Sequence, residues 1–169
     1  MDRLYFFSGS AEKYPGKGVN EYVSCVETYK ELSQIIGWRK QLSNFWVEEF
    51  EVEGMRWNTV EHMFQSYKLN IGSPDIAFQL TLNSGSKLSQ GTGLDARKQR
   101  KAVVLNHEQL KEWNIIKDDV LYAALSAKFS QHEYLNATLL LTGNAELWHG
   151  MPRVPRTRQH LLEIVREEI

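Results

Sequence analysis

Hydrophobic and polar positions alternate over short distances at the start of the chain and at helical spacing further on. Leu4-Tyr5-Phe6-Phe7 is an aromatic run closed by Ser8-Gly9-Ser10, which predicts a strand ended by a turn. Pro15, Gly16 and Gly18 make the next segment a loop. Val26, Tyr29, Leu32, Ile35 and Ile36 then recur at helical spacing, with Gly37 as the expected stop. Leu42-Ser43-Asn44-Phe45-Trp46 is too polar at its centre for a central strand and predicts a turn. Phe50, Val52 and Met55-Arg56-Trp57 flank Glu53-Gly54, a hairpin signal in which Gly54 supplies a positive φ. Asn58 or Thr59 caps the helix that follows, whose expected buried stripe is Val60, Met63, Phe64, Tyr67 and Ile71.

The second half reads as mostly helical. Ser73-Pro74-Asp75 starts a helix through Ile76, Phe78, Gln79 and Leu82, and residues 83–93 form a glycine-rich break. Helices are expected at about 118–131 and at 133–141, the second ended by Thr142-Gly143. Pro152 and Pro155 hold residues 150–159 extended, and Leu161, Leu162, Val165 and Ile169 mark a terminal helix. With no repeat, low-complexity segment or linker, the pattern is that of one domain over residues 1–169.

Composition agrees: 169 residues, 42% hydrophobic and 24% charged, suit a soluble globular chain with one sizeable core. A formal net charge of -1 leaves the question of a nucleic-acid partner to local patches. The single cysteine, Cys25, excludes an internal disulfide and a cysteine-based zinc site. No run approaches the ~20 apolar residues of a spanning helix, so an intracellular, cytoplasmic protein without membrane contact is expected. The five histidines show no HExxH or comparable spacing, which predicts no metal.

Chemistry concentrates in residues 42–68. Glu61, Gln65 and Lys68 stand at i, i+4 and i+7 and share one helix face beside the apolar stripe, with Asn44 in the preceding turn. A lone glutamate there would only complement the positive helix end; this company suits holding and orienting a polar ligand. His62 points about 100° away from Glu61 and reads as a core histidine. The run Arg97, Lys98, Arg100 and Lys101 is either a solvated face or, beside a pyrophosphate, a set of anion ligands. Arg153, Arg156 and Arg158, spaced by prolines, suit phosphate or nucleic acid as well as they suit a plain exposed loop. Trp148-His149 just before them offers a stacking ring or a packing contact.

LSNFW at 42–46, the hairpin, and WNTVEHMFQSYK at 57–68 together resemble the NADAR (YbiA-like) family, whose pattern runs LSNF, an aromatic strand, then SEHYFQAQK. The resemblance continues through Trp113, AKFSQH at 127–132 and LLLTG at 139–143. It implies an α+β, predominantly helical, single compact domain with a small β-sheet or hairpin. It also implies an N-glycosidase acting on a riboside, without cofactor or metal: some members cleave phosphorylated intermediates of riboflavin synthesis, others remove ADP-ribose from guanine in nucleic acid. Glu61 matches the family's essential carboxylate, and Asn44, Phe64, Gln65, Lys68, Trp113 and Lys128 match other pocket positions. Lys68 is expected to hold a ribose hydroxyl or phosphate oxygen, and Phe45, Trp46 and Trp57 to wall the site.

Two stretches depart from the family pattern, at about 9–40 and about 148–158, where WHGMPRVPRTR stands in place of the usual Asp-x-x-Trp-Gly. His149, Arg153 and Arg156 are therefore expected to make the substrate contacts of that loop. The favoured partner is ADP-ribosylated nucleic acid, with a nucleotide-like small molecule next. The alternatives are a riboflavin-pathway hydrolase and a non-catalytic binder of ADP-ribose or related nucleotides.

Overall fold

In the computed structural model, which describes residues 1–169, a strand β1 (Arg3–Phe6) is followed by a 3-10 turn at Val26–Tyr29 and two short helices, α1 (Lys30–Ser33) and α2 (Trp38–Leu42). A hairpin of β2 (Phe50–Val52) and β3 (Met55–Trp57) leads into α3 (Val60–Asn70), α4 (Pro74–Phe78) and α5 (Gly93–Lys98). The long α6 (His107–Gln131) and α7 (Glu133–Leu141) come next, then β4 (Glu146–His149), β5 (Thr157–Arg158) and α8 (His160–Glu168). The fold is α+β and mainly helical, as expected. Backbone contacts group it into two compact units, one formed by Met1–Ser43 with Phe129–Ile169, the other by Asn44–Lys128.

In the first unit a three-stranded sheet has the order β1-β4-β5. β1 and β4 are parallel, with Arg3 opposite Glu146 and Phe6 opposite His149, while β5 runs antiparallel to β4. The alternation of β1 puts Leu4 and Phe6 into the core with Leu32, Trp38, Leu135, Leu139, Leu147, Leu162 and Val165, and leaves Tyr5 and Phe7 half-buried on the other face. Helices α2 and α8 pack on this sheet, and Thr138 of α7 donates its hydroxyl to Gln41 Oε1 of α2 at 2.6 Å.

A buried ion pair organises the family-divergent segment. The Arg39 guanidinium is paired with Glu21 and donates to the carbonyls of Tyr5 (2.7 Å), Lys13 (3.1 Å) and Tyr14 (3.3 Å). The Glu21 carboxylate in turn accepts from the amides of Tyr5, Gly16 and Gly18 at 2.8 to 2.9 Å. One carboxylate thus satisfies an amide of strand β1 and two loop amides.

In the second unit the hairpin turn places Glu53 and Gly54 at φ of 51° and 80°, the paired left-handed geometry that matches strand twist. Thr59, not Asn58, caps α3, accepting from the His62 amide at 3.1 Å. Leu69, Ala77, Leu80 and Ala96 form an apolar cluster where α4 and α5 pack on α3.

Several elements differ from expectation. The helix predicted from Val26 to Ile36 is broken, because only Tyr29 and Leu32 find the core, while Ile36 is 88% exposed. Gly37, at φ 74°, turns the chain directly into α2, where no helix was predicted. The single stripe foreseen for α3 is replaced by burial on several sides: Glu61, His62, Gln65 and Ser66 are as buried as Val60 and Met63. α4 stops at Phe78, and the glycine-rich break ends where an unpredicted helix, α5, begins at Gly93, opened by a capping box between Thr92 and Asp95. α6 begins at His107, well before residue 118, and β4 was not anticipated. No helix is long and apolar enough to cross a membrane.

Candidate active site

Glu61 sits in the first turn of α3, and its amide donates to the carbonyl of Asn44 at 3.1 Å, which fastens the LSNF turn onto the helix start. The side chain is only 9% exposed. Its Oε1 accepts from Gln65 Nε2 at 2.9 Å, one helical turn on. Burial raises the carboxyl's pKa above its ordinary value, while the Gln65 hydrogen bond and the positive charges of Arg97, Arg100 and Lys68 pull it back. Arg97, in the last turn of α5, and Arg100, just after it, thus lie close enough to Glu61 to act on its charge.

Two buried polar atoms of the second unit are left unsatisfied. Gln65 Oε1 is buried without a hydrogen-bond partner, and so is the indole N–H of Trp57. Such orphans are rare in buried positions, and each is a group that a polar ligand would complete. By contrast His62, fully buried, is satisfied: its Nε2 donates to Leu88 O at 2.9 Å, and the Thr59 hydroxyl lies 2.7 Å from Nδ1. Burial holds its pKa down, and it is a core histidine as its position predicted.

The other candidates divide by what they touch. Phe64 and Trp113 meet edge to face at 4.9 Å, and Trp57 lies tilted against Tyr67 at 6.1 Å. Phe45 packs on the start of α5, where a Cβ on Gly93 would come within 2.5 Å of its ring, so glycine is required there. Trp46 and Lys68 are half-buried, and Lys128 is buried, its amine pushed down to about 7 by loss of hydration. All ten of Asn44, Phe45, Trp46, Trp57, Glu61, Phe64, Gln65, Lys68, Trp113 and Lys128 belong to the second unit. No three His, Cys, Asp or Glu side chains are grouped to hold a metal ion.

His149, Arg153 and Arg156 belong to the first unit. His149 faces Phe6, its ring edge-on at 6.0 Å, while Trp148 stacks on Tyr5 at 5.9 Å. Arg153 and Arg156 are exposed at the rim of a cavity whose other walls include Tyr5, Phe7, Lys13 and Arg39. None of those four was foreseen as a site residue, although the alternation of β1 already sets Tyr5 and Phe7 on one face.

Comparison with known proteins bears on this geometry. A family model described as NADAR domain matches residues 27–153. N-glycosidase YbiA of Shigella boydii serotype 4 (strain Sb227) is 30% identical over 115 residues, 62% of this chain and 59% of that protein. N-glycosidase YbiA of Escherichia coli (strain K12) is 31% identical over the same length, and N-glycosidase Npun_R5314 of Nostoc punctiforme is 26% identical over 110 residues. The chain thus spans about three-fifths of the length of the first of these relatives, 59%. The NMR structure of the E. coli protein YbiA superposes with a TM-score of 0.61 at 27% identity, covering 77% of each chain.

Proposed function

Since the chain belongs to the NADAR domain family, we propose that it is an N-glycosidase hydrolysing a ribose C1′–N bond, with ADP-ribosylated guanine in DNA or RNA as substrate. The observation that carries this reading is Glu61, a buried carboxylate of raised pKa flanked by an unpaired acceptor and three positive charges. Three relatives, 26 to 31% identical to this chain, are named N-glycosidases, which supports the class of reaction.

The C1′–N bond breaks with its electron pair leaving on the base nitrogen, which takes up a proton, and the ribose passes through an oxocarbenium-like cation. The Glu61 carboxylate faces that cation and accepts a proton from the water that adds to C1′. A raised pKa makes it the stronger base for that step. Gln65 Oε1 accepts from a ribose hydroxyl or base N–H, and Lys68, Arg97 and Arg100 provide positive charge for the pyrophosphate. The preference for a nucleic-acid substrate rests on Arg153 and Arg156, cations without a carboxylate partner.

The test is release of ADP-ribose from an ADP-ribosylated guanine oligonucleotide, followed by chromatography. Release is expected, faster from single strands than from duplex because the base must leave the stack, and unchanged by a metal chelator. Glu61→Gln is expected to lower turnover by at least ~10²-fold. No release, together with stabilisation by free ADP-ribose, would make the protein a binder; cleavage of phosphorylated riboflavin-pathway intermediates instead would move the substrate.

A further inference from the structure

The first unit contains a cavity of about 420 Å³, a size that takes a small ligand. Its walls come from β1, the loop after it and residues 150–156. Most of these residues, Tyr5 to Asn20 together with Val154 and Arg156, lie outside the stretch that matches the family model, and none belongs to the set around Glu61.

Its chemistry is one-sided. Lys13, Arg153 and Arg156 line it and make no ion pair, and no Asp or Glu is among its lining residues. The fourth cation, Arg39, is 5% exposed and neutralised by Glu21, yet its Nε–H is buried without an acceptor. Arg153 is held at φ 66°, a left-handed conformation that arginine rarely adopts and that recurs where a site needs a fixed direction. The apolar part of the wall is aromatic, Tyr5 and Phe7. Tyr5 is pressed so closely on Gly150 that a Cβ there would come within 2.6 Å of the ring.

We propose that this cavity binds a nucleoside monophosphate group, its phosphate on Lys13, Arg153 and Arg156 and its base against Tyr5 and Phe7. An inorganic anion would leave the aromatic wall and most of the volume unused, whereas an apolar ligand would leave three cations uncompensated. The loop is fixed by the Glu21–Arg39 pair before any ligand arrives, so little ordering accompanies binding. The same group can come as a free nucleotide or as one residue of a strand, and the cavity recognises what the two share.

Calorimetric titration of the full chain with AMP, adenosine and inorganic phosphate tests this. AMP is expected to bind saturably, with adenosine and phosphate at least ~10-fold weaker, since each charge-assisted contact is worth roughly 1.5–3 kcal/mol. The double variant Arg153→Asn/Arg156→Gln, in which asparagine tolerates the left-handed backbone, is expected to weaken AMP at least ~10-fold. Lys13→Gln, on an exposed loop position, provides an independent variant with the same expected direction. Glu61→Gln is expected to bind AMP like the unaltered protein, so failure of the glycosidase reading and failure of this one are separable. Absence of saturable AMP binding, binding that survives the cationic substitutions, or loss of binding in Glu61→Gln would each overturn the proposal. A 5′-phosphorylated oligonucleotide that binds more tightly than AMP identifies the strand as the source, and the reverse order identifies the free nucleotide.

Discussion

Two buried ionisable side chains set opposite pH dependences on the second unit. Burial raises the Glu61 pKa, so its carboxyl contributes stability fully below the ordinary carboxylate value, and this is lost as pH rises through the folded value. Glu61→Gln, whose amide can still accept from Gln65, should therefore melt higher than the unaltered protein at pH 8, with the gain vanishing towards pH 4. Thermal melts across that range decide it; a destabilised variant at pH 8 would refute the assignment of burial as the cause. A residue chosen for folding alone would show no such gain on neutralisation, whereas a site residue is retained despite it. Lys128 works the other way. Its amine is lowered to about 7, so its contribution is complete above the free-lysine value and is lost as pH falls through the folded one. Lys128→Met should gain melting temperature as pH falls from about 10 to about 7, and hold that gain at lower pH. At this scale the sequence was informative where spacing is local: Glu61, Gln65 and Lys68 fall on one face by helix periodicity, and the hydrogen bond from Gln65 to Glu61 is its direct result. The orphaned Trp57 indole and Gln65 carbonyl were not legible, because whether a partner exists depends on everything packed nearby.

Elements were legible in proportion to how locally their pattern is fulfilled. The hairpin announced itself in Glu53-Gly54, α7 in a leucine-rich run stopped by Thr142-Gly143, and α8 in the spacing of Leu161, Leu162, Val165 and Ile169. α6 was shortened in the reading because His107–Lys117 has few apolar residues and gains its helicity from continuity with the segment that follows. α3 defeated the single-stripe expectation because its polar residues are satisfied inside: Ser66 Oγ donates to Ala77 O at 2.8 Å, and His62 is bonded at both ring nitrogens. The segment at 9–40 read as loop and helix. It is tied to β1 through Glu21 and Arg39, eighteen residues apart, a pairing no local pattern encodes. Glu21→Gln should cost about 3–5 kcal/mol, the usual consequence of leaving one buried charge without its partner. Urea denaturation reads the total, and hydrogen exchange should show lost protection at the amides of Tyr5, Gly16 and Gly18. A loss below about 1 kcal/mol would mean that the pair is no more than a surface bridge.

For the molecule as a whole, the sequence read as one domain, and the contacts group into one contiguous unit and one built from two separated stretches. That division explains which parts of the site could be read. The residues around Glu61 lie in the contiguous unit, whose motifs follow one another along the chain. The basic cavity needs β1, the loop after it and residues 150–156 at once, and nothing in the order of residues says that they meet. The parallel pairing of β1 with β4 has a further consequence in time. As the chain leaves the ribosome, Asn44–Lys128 can collapse as soon as it is complete, since all its partners are already present. β1 must wait until Glu146–His149 has emerged, with Leu4-Tyr5-Phe6-Phe7 an unpaired aromatic strand throughout. Closure of that long loop should be the slow step of refolding, and strand-to-strand aggregation through β1 its main competitor.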